Sequence, residues 1–183
     1  RIIKKKNSPA LLHVDAVQAY MKIKLRPQSC GIDFMSMSAH KIHGIKGVGA
    51  LFMAKSANIK PYLLGGGQEN GMVSGTQPMP NIAAFSAAVK QFGDSGKRLE
   101  EMKRLNLYFR DKLSEINGVT INSPENALPY IINISLRGIP SQVSVNYFSS
   151  NGVYISAGSA CSKGHRSEVL TAMGLAPDTI DSA

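Results

Sequence analysis

The chain has 183 residues, 43% of them hydrophobic, with 17 Gly, 9 Pro and a formal net charge of +9. These values are ordinary for a soluble α/β protein of one large or two small domains. No apolar run approaches the roughly 18 residues of a membrane span, and Arg1 to Pro9 lack the apolar core of a signal peptide, so a cytoplasmic protein is expected.

The charge is uneven, with a net +8 over residues 1–95 and +1 over residues 96–183. Nucleic acid is the generic partner of such an excess. No aromatic residues interleave the basic ones, however, and Arg1, Lys4, Lys5 and Lys6 read as the outer face of a helix or a fraying end. Direct nucleic-acid binding is therefore not expected; an acidic portion of the same protein lying outside this chain would balance the excess. The two cysteines, Cys30 and Cys161, have neither the density nor the spacing of a disulfide framework, so reduced thiols are expected. With His13, His40, His43 and His165 they form no recognisable ligand pattern, and no metal site is expected.

In chain order, Leu11 to Asp15 and Phe34 to Met37 read as buried strands, and Val48 to Ala54 as a third strand after the turn at Gly44 and Gly47. Gly65 to Gly71, then Ser74, Gly75 and Thr76, form a glycine-rich stretch that permits close approach to a ligand and equally suits a flexible surface loop. Pro80 to Phe92 reads as a buried helix, and Gly93 to Gly96 as a break. Over 97–116, Leu99, Met102, Leu105, Phe109, Leu113 and Ile116 recur at helical spacing, giving an amphipathic helix that links two domains. Val119 to Asn122 and Tyr130 to Leu136 read as strands, Pro140 to Ser150 as a helix opened by proline, and Val153 to Ser156 as another strand. A last helix runs from Arg166 or Ser167 to Met173, with Gly174 past its end.

Two stretches carry chemistry. In the first, the run ending in Met37 is followed by Ser38, His40 and Lys41. Ligands of open α/β sheets sit beyond the carboxyl ends of strands. A lysine there, with its amine deprotonated by desolvation or a nearby cation, forms Schiff bases with aldehydes, and the neighbouring Ser and His can bond a phosphate on the same ligand. Asp15, closing the earlier strand, calls for a cationic partner, and the protonated ring nitrogen of pyridoxal phosphate is one. Singly, each residue also fits a plainer role: a solvated loop for the lysine, a helix N-cap for the aspartate. In the second stretch, Cys161 lies in the small-residue run Ser156 to His165, near Lys163 and His165 and ahead of a helix start. Such a position favours a thiolate, though an inert loop thiol fits the same run.

Taken together, HVDAVQA (13–19), SMSAHKIHGIKGVGALF (36–52), GGGQENG (65–71), SGT (74–76) and SAGSACSKGHRSEVLTAMGL (156–175) resemble the cysteine desulfurases of the NifS/IscS type, class V members of the aspartate-aminotransferase-like pyridoxal phosphate enzymes. The resemblance implies an α/β chain in two parts: residues 1–95, the C-terminal part of the cofactor-binding large domain, and residues 96–183, a smaller α+β domain carrying the cysteine loop. It implies that Lys41 carries pyridoxal 5'-phosphate and that Asp15 pairs with its ring nitrogen. Gln18 would contact the ring hydroxyl, Ser38 and His40 the phosphate, and Thr76 the phosphate of the partner subunit in a homodimer. Cys161 would accept sulfur from L-cysteine and, as a persulfide, pass it to an iron-sulfur scaffold or another sulfur-acceptor protein, leaving L-alanine. A selenocysteine lyase is the neighbouring alternative, and a cofactor-free remnant acting as an interaction module the more distant one. Against the family pattern the chain is expected to be truncated at both ends. Position 73, usually Arg in the motif R-S-G-T, is Val73.

Overall fold

The computed structural model describes residues 6, 8–158 and 166–183. The chain divides into two compact units, Arg1–Leu99 and Glu100–Ala183.

The first unit is built on a three-stranded sheet in the order β1 (His13–Asp15), β2 (Phe34–Ser38), β3 (Gly49–Met53). β1 and β2 are parallel, with Asp15 opposite Ser36; β2 and β3 are antiparallel, with Ser38 opposite Gly49. The antiparallel pairing follows from the short link between them, because a parallel return needs a crossover of a dozen or more residues. Gly49 lets β3 close in, since a Cβ there would stand 2.7 Å from the Met37 carbonyl oxygen. One buried cluster joins Ala16, Ile32 and Met35, flanked by Leu12, Val14, Ala19, Leu25, Met37 and Phe52. At the opposite end of the strands, the Asp33 carboxylate accepts the Leu12 N–H at 2.8 Å and sets the register.

A 3-10 turn over Ala39–Ile42 follows β2 directly. Ile42, 1% exposed, packs with Ala88 and Phe92 of the Met79–Phe92 helix, and Tyr20, Met21, Phe85 and Val89 flank them. Burying a side chain of that size contributes roughly 1.5–3 kcal/mol. The turn is closed by His43, whose φ of 63° is left-handed, and by the Gly44 N–H, which donates to the Ala39 carbonyl at 2.9 Å.

The long helix spans Ser95–Ser114, beginning earlier than the apolar spacing implied. Asp94 is the reason: its Oδ1 accepts the N–H groups of Gly96 at 2.7 Å and Lys97 at 3.3 Å, as an N-cap does. A glycine within the first turn is tolerated there.

In the second unit, β4 (Val119–Ile121) pairs antiparallel with β5 (Ile134–Leu136). The expected strand over Tyr130 to Leu136 is shortened: at the next rung the Asn122 N–H still donates to the Asn133 carbonyl at 2.9 Å, but the Asn133 N–H turns to the Ser123 hydroxyl at 2.8 Å. Helices follow over Ser141–Ser150, Glu168–Ala172 and Pro177–Asp181. The Ser167 hydroxyl caps the second of these by accepting the Leu170 N–H at 3.3 Å. The last returns to β5, where Ser135 Oγ donates to the Thr179 carbonyl at 2.7 Å and the Leu136 N–H donates to the Ser182 carbonyl at 3.1 Å.

The strand expected over Val153 to Ser156 is not formed. Its β-branched and aromatic residues suit a pleated surface, but Val153, Tyr154 and Ile155 are exposed and no other strand pairs with them among the described residues. Propensity without a pairing edge does not make a strand.

Candidate active site

The strand order decides which side chains meet. β1 and β2 run parallel side by side, so Asp15, ending β1, and Ser38, ending β2, emerge at the same carboxyl-terminal edge of the sheet. The turn after β2 adds His40 and Lys41, and the turn after β1 adds Gln18. That edge is where open α/β sheets bind ligands. A cavity of about 830 Å³ lies elsewhere, lined by residues such as Leu12, Cys30, Asp33 and Ala54. These precede β1 and β2 or follow the reversed β3, so the cavity opens at the amino-terminal edge and contains none of the candidate residues.

Ser38 Oγ and His40 Nδ1 are 2.6 Å apart. A hydroxyl and a neutral imidazole together carry two polar hydrogens, and their mutual bond uses one. With Ser38 donating, the ring proton stays on Nε2; with Nδ1–H donating, the hydroxyl proton is spare. Either arrangement leaves a donor for an anion. Asp15 is exposed, and its Oδ1 accepts the Val17 N–H at 2.9 Å. The carboxylate thus fixes the turn after β1, but no helix begins there, so Asp15 is not the helix N-cap that the plainer reading expected.

Lys41 is half-buried, anchored by the buried Ile42 that follows it. A second amine stands close by, which the motif reading missed. Lys22 is half-buried, and its pKa is held below the usual lysine value, first by burial and then by the positive charge of Lys41. Lys22 Nζ also donates to Gln18 Oε1 at 3.4 Å. The sequence carries no signal for this pairing, because the segment between the two is a non-helical turn in which Met21 has a φ of 61°.

Thr76 is exposed, and no hydrogen bond joins it to Asp15, Gln18, Ser38, His40 or Lys41 among the described residues. The nearby Ser74 is tied down instead, donating to the Leu63 carbonyl at 3.1 Å beside the bridge between Leu63 and Val73. Cys161 lies outside the described residues. What flanks its segment is described: Arg166 makes a two-pronged pair with the Asp181 carboxylate, at 2.7 and 2.6 Å.

A carboxylate, a carboxamide, a hydroxyl and imidazole pair and an amine on one sheet edge suit an aldehyde cofactor with a basic ring nitrogen and a phosphate. The donor set therefore fits pyridoxal phosphate.

Comparison with known proteins gives the same class. The sequence profile described as Aminotransferase class-V matches residues 1–175, and the chain belongs to that family. Cysteine desulfurase 2 of Trichormus variabilis is 35% identical over 186 residues, covering 97% of this chain and 46% of that protein. Cysteine desulfurase IscS of Dictyoglomus turgidum is 36% identical over 168 residues, covering 89% and 43%. Among solved structures, a NifS-like protein from Rickettsia africae superposes with a TM-score of 0.81 at 30% identity, covering 99% of this chain and 48% of that one. SspA in complex with cysteine superposes with a TM-score of 0.75 at 30% identity, covering 99% and 50%. The chain spans about half the length of the relatives it matches.

Proposed function

We propose that the chain is part of a pyridoxal-phosphate-dependent cysteine desulfurase that converts L-cysteine to L-alanine and leaves the sulfur on Cys161. The observation that carries the reading is the carboxyl-terminal sheet edge, where Asp15 and the Ser38 and His40 pair flank Lys41. The names of the relatives select the reaction within the family.

Bound there, the cofactor supplies an electron sink for the substrate's α carbon. The Asp15 carboxylate would accept the ring N–H and keep that nitrogen protonated. Gln18 would bond the ring hydroxyl, and the donor left over by Ser38 and His40 would bond the phosphate. The Lys41 amine would hold the cofactor and carry protons to and from the substrate carbons. The Cys161 thiolate attacks the substrate sulfur. Cysteine and the Cys161 thiol become alanine and a Cys161 persulfide: the β carbon gains two electrons as its carbon–sulfur bond becomes carbon–hydrogen, and the two sulfurs that join in the persulfide give up one each. The persulfide then passes to an iron-sulfur scaffold or another sulfur-acceptor protein in the cytoplasm.

In this reading residues 1–95 are the C-terminal part of the cofactor-binding large domain, and residues 96–183 a small domain bearing Cys161. Thr76, exposed in this chain, reaches the cofactor phosphate of the partner subunit in a homodimer. The test is Cys161→Ala in the complete chain encoded by the gene. It should keep pyridoxal phosphate and lose alanine release from cysteine, with persulfide label absent from Cys30. Near-native alanine release by that variant would remove Cys161 from the mechanism.

A further inference from the structure

We propose that Lys22 is a positioning residue of this site, which turns the Gln18 carboxamide so that its amino end faces the ligand as a hydrogen-bond donor. The inference rests on the pyridoxal phosphate reading and deepens it, because it states what Gln18 offers and what keeps it there.

The geometry is local. Lys22 Nζ lies 3.4 Å from Gln18 Oε1, four residues further along the chain. An ammonium has three donors and no acceptor, so only the carbonyl end of the amide bonds to it. The two N–H groups of Gln18 are thereby directed away from Lys22. An amide without such a neighbour exchanges its oxygen and nitrogen ends at little cost, since the two have nearly the same shape. A donor is what an ionised ring hydroxyl requires, and the carbonyl end in its place would repel it.

Lys22 is held by the fold. Met21 before it has a φ of 61°, a left-handed conformation that residues other than glycine rarely adopt. Tyr20 and Met21 flank the cluster around Ile42, and Tyr20 meets Phe85 edge-on at 6.2 Å. Ile42 directly follows Lys41. One hydrophobic cluster therefore fixes the turn bearing Lys22 against the turn bearing Lys41, and the effect of the Lys41 charge on Lys22 is the electrostatic trace of that nearness. Strained backbone held by packing is a recurrent feature of functional sites.

The test uses the complete chain encoded by the gene, reconstituted with pyridoxal phosphate. Lys22→Met keeps the stem and removes the ammonium, Lys22→Arg keeps a donor-only group, and Gln18→Ala removes the amide. Lys22→Met should weaken pyridoxal phosphate binding about fivefold, the worth of one modest hydrogen bond. It should also move the visible absorption band of the bound cofactor in the same direction as Gln18→Ala, and Lys22→Arg should restore both. In the Gln18→Ala background, Lys22→Met should change both much less, because the part of its effect that runs through the amide is already gone. An effect of equal size in that background, or none in the native one, overturns the inference. Should Lys22→Met fail to fold, Lys22→Gln carries the same comparison. Failure of the unsubstituted chain to bind pyridoxal phosphate overturns the functional reading and this inference together, whereas binding that Lys22→Met leaves unchanged overturns this inference alone.

Discussion

Ile42 is packed against Ala88, so the residue next to Lys41 is fixed by the helix over Met79–Phe92 and not by the sheet alone. The lysine is therefore placed from two directions: β2 delivers the chain to the site, and the helix stops the turn from rolling. Ile42→Ala should cost about 2–5 kcal/mol, the range for emptying a buried aliphatic site. Leu51→Ala, at a position 54% exposed, should stay within roughly 0.5 kcal/mol. Gly44→Ala should be costly too, by about 1–3 kcal/mol. A Cβ there would stand 2.9 Å from both Cβ and O of Ala39 and 3.1 Å from the Ala88 Cβ. Urea denaturation of the three variants measures the order, and a Gly44→Ala protein as stable as the parent would mean the turn and helix are not in this contact.

Ser38→Ala tests the hydroxyl and imidazole pair. It removes one hydrogen bond to His40 and one of the two polar hydrogens that the pair shares. The imidazole keeps its one N–H, so a donor for the phosphate remains, but the bond that fixes the ring is lost; pyridoxal phosphate affinity should fall about fivefold, the worth of one neutral hydrogen bond. Titration of cofactor fluorescence reads this directly. Unchanged affinity would take Ser38 out of the phosphate site.

The Arg166 and Asp181 pair makes a pH prediction whose sign can be worked out. The hydrogen bond from Arg166, and then its charge, hold the Asp181 carboxyl below the usual carboxylate range. A group depressed in the folded state contributes stability above its unfolded value of about 3.9 and loses it as pH falls through the folded value. Both side chains are about half exposed, so the contribution to global stability is small. In a carboxyl-resolved NMR titration, Asp181 should ionise below pH 3.9, and Arg166→Gln should bring it back to that value. An Asp181 that titrates normally with Arg166 present would show that the pair does not form in solution.

Much of this site was legible because the informative residues are contiguous. Ser38, His40 and Lys41 follow a strand whose apolar run is plain in the sequence, and Asp15 ends another. The helix over Met79–Phe92 was equally visible in its apolar composition, but it is not buried throughout as expected: only Ala88 and Phe92 are, while Met79 and Ile82 are exposed. What escaped was set by tertiary pairing or was too short to show a period. The run over Val153 to Ser156 has strand composition but no partner strand among the described residues. Pro27–Cys30 and Pro177–Asp181 are helices of one turn or little more, with proline at the start the sole local sign. Lys22 was hidden for a different reason: its meaning depends on Lys41, nineteen positions later, and only the shared cluster around Ile42 brings the two together.

The measurement that bears most directly on the account is where pyridoxal phosphate attaches. The complete chain is incubated with the cofactor, reduced with borohydride, digested and searched for pyridoxyl-lysine by mass spectrometry. The account predicts one modified residue, Lys41, and loss of the label in Lys41→Ala. Label on Lys22 or Lys46, or a label that survives Lys41→Ala, would contradict it.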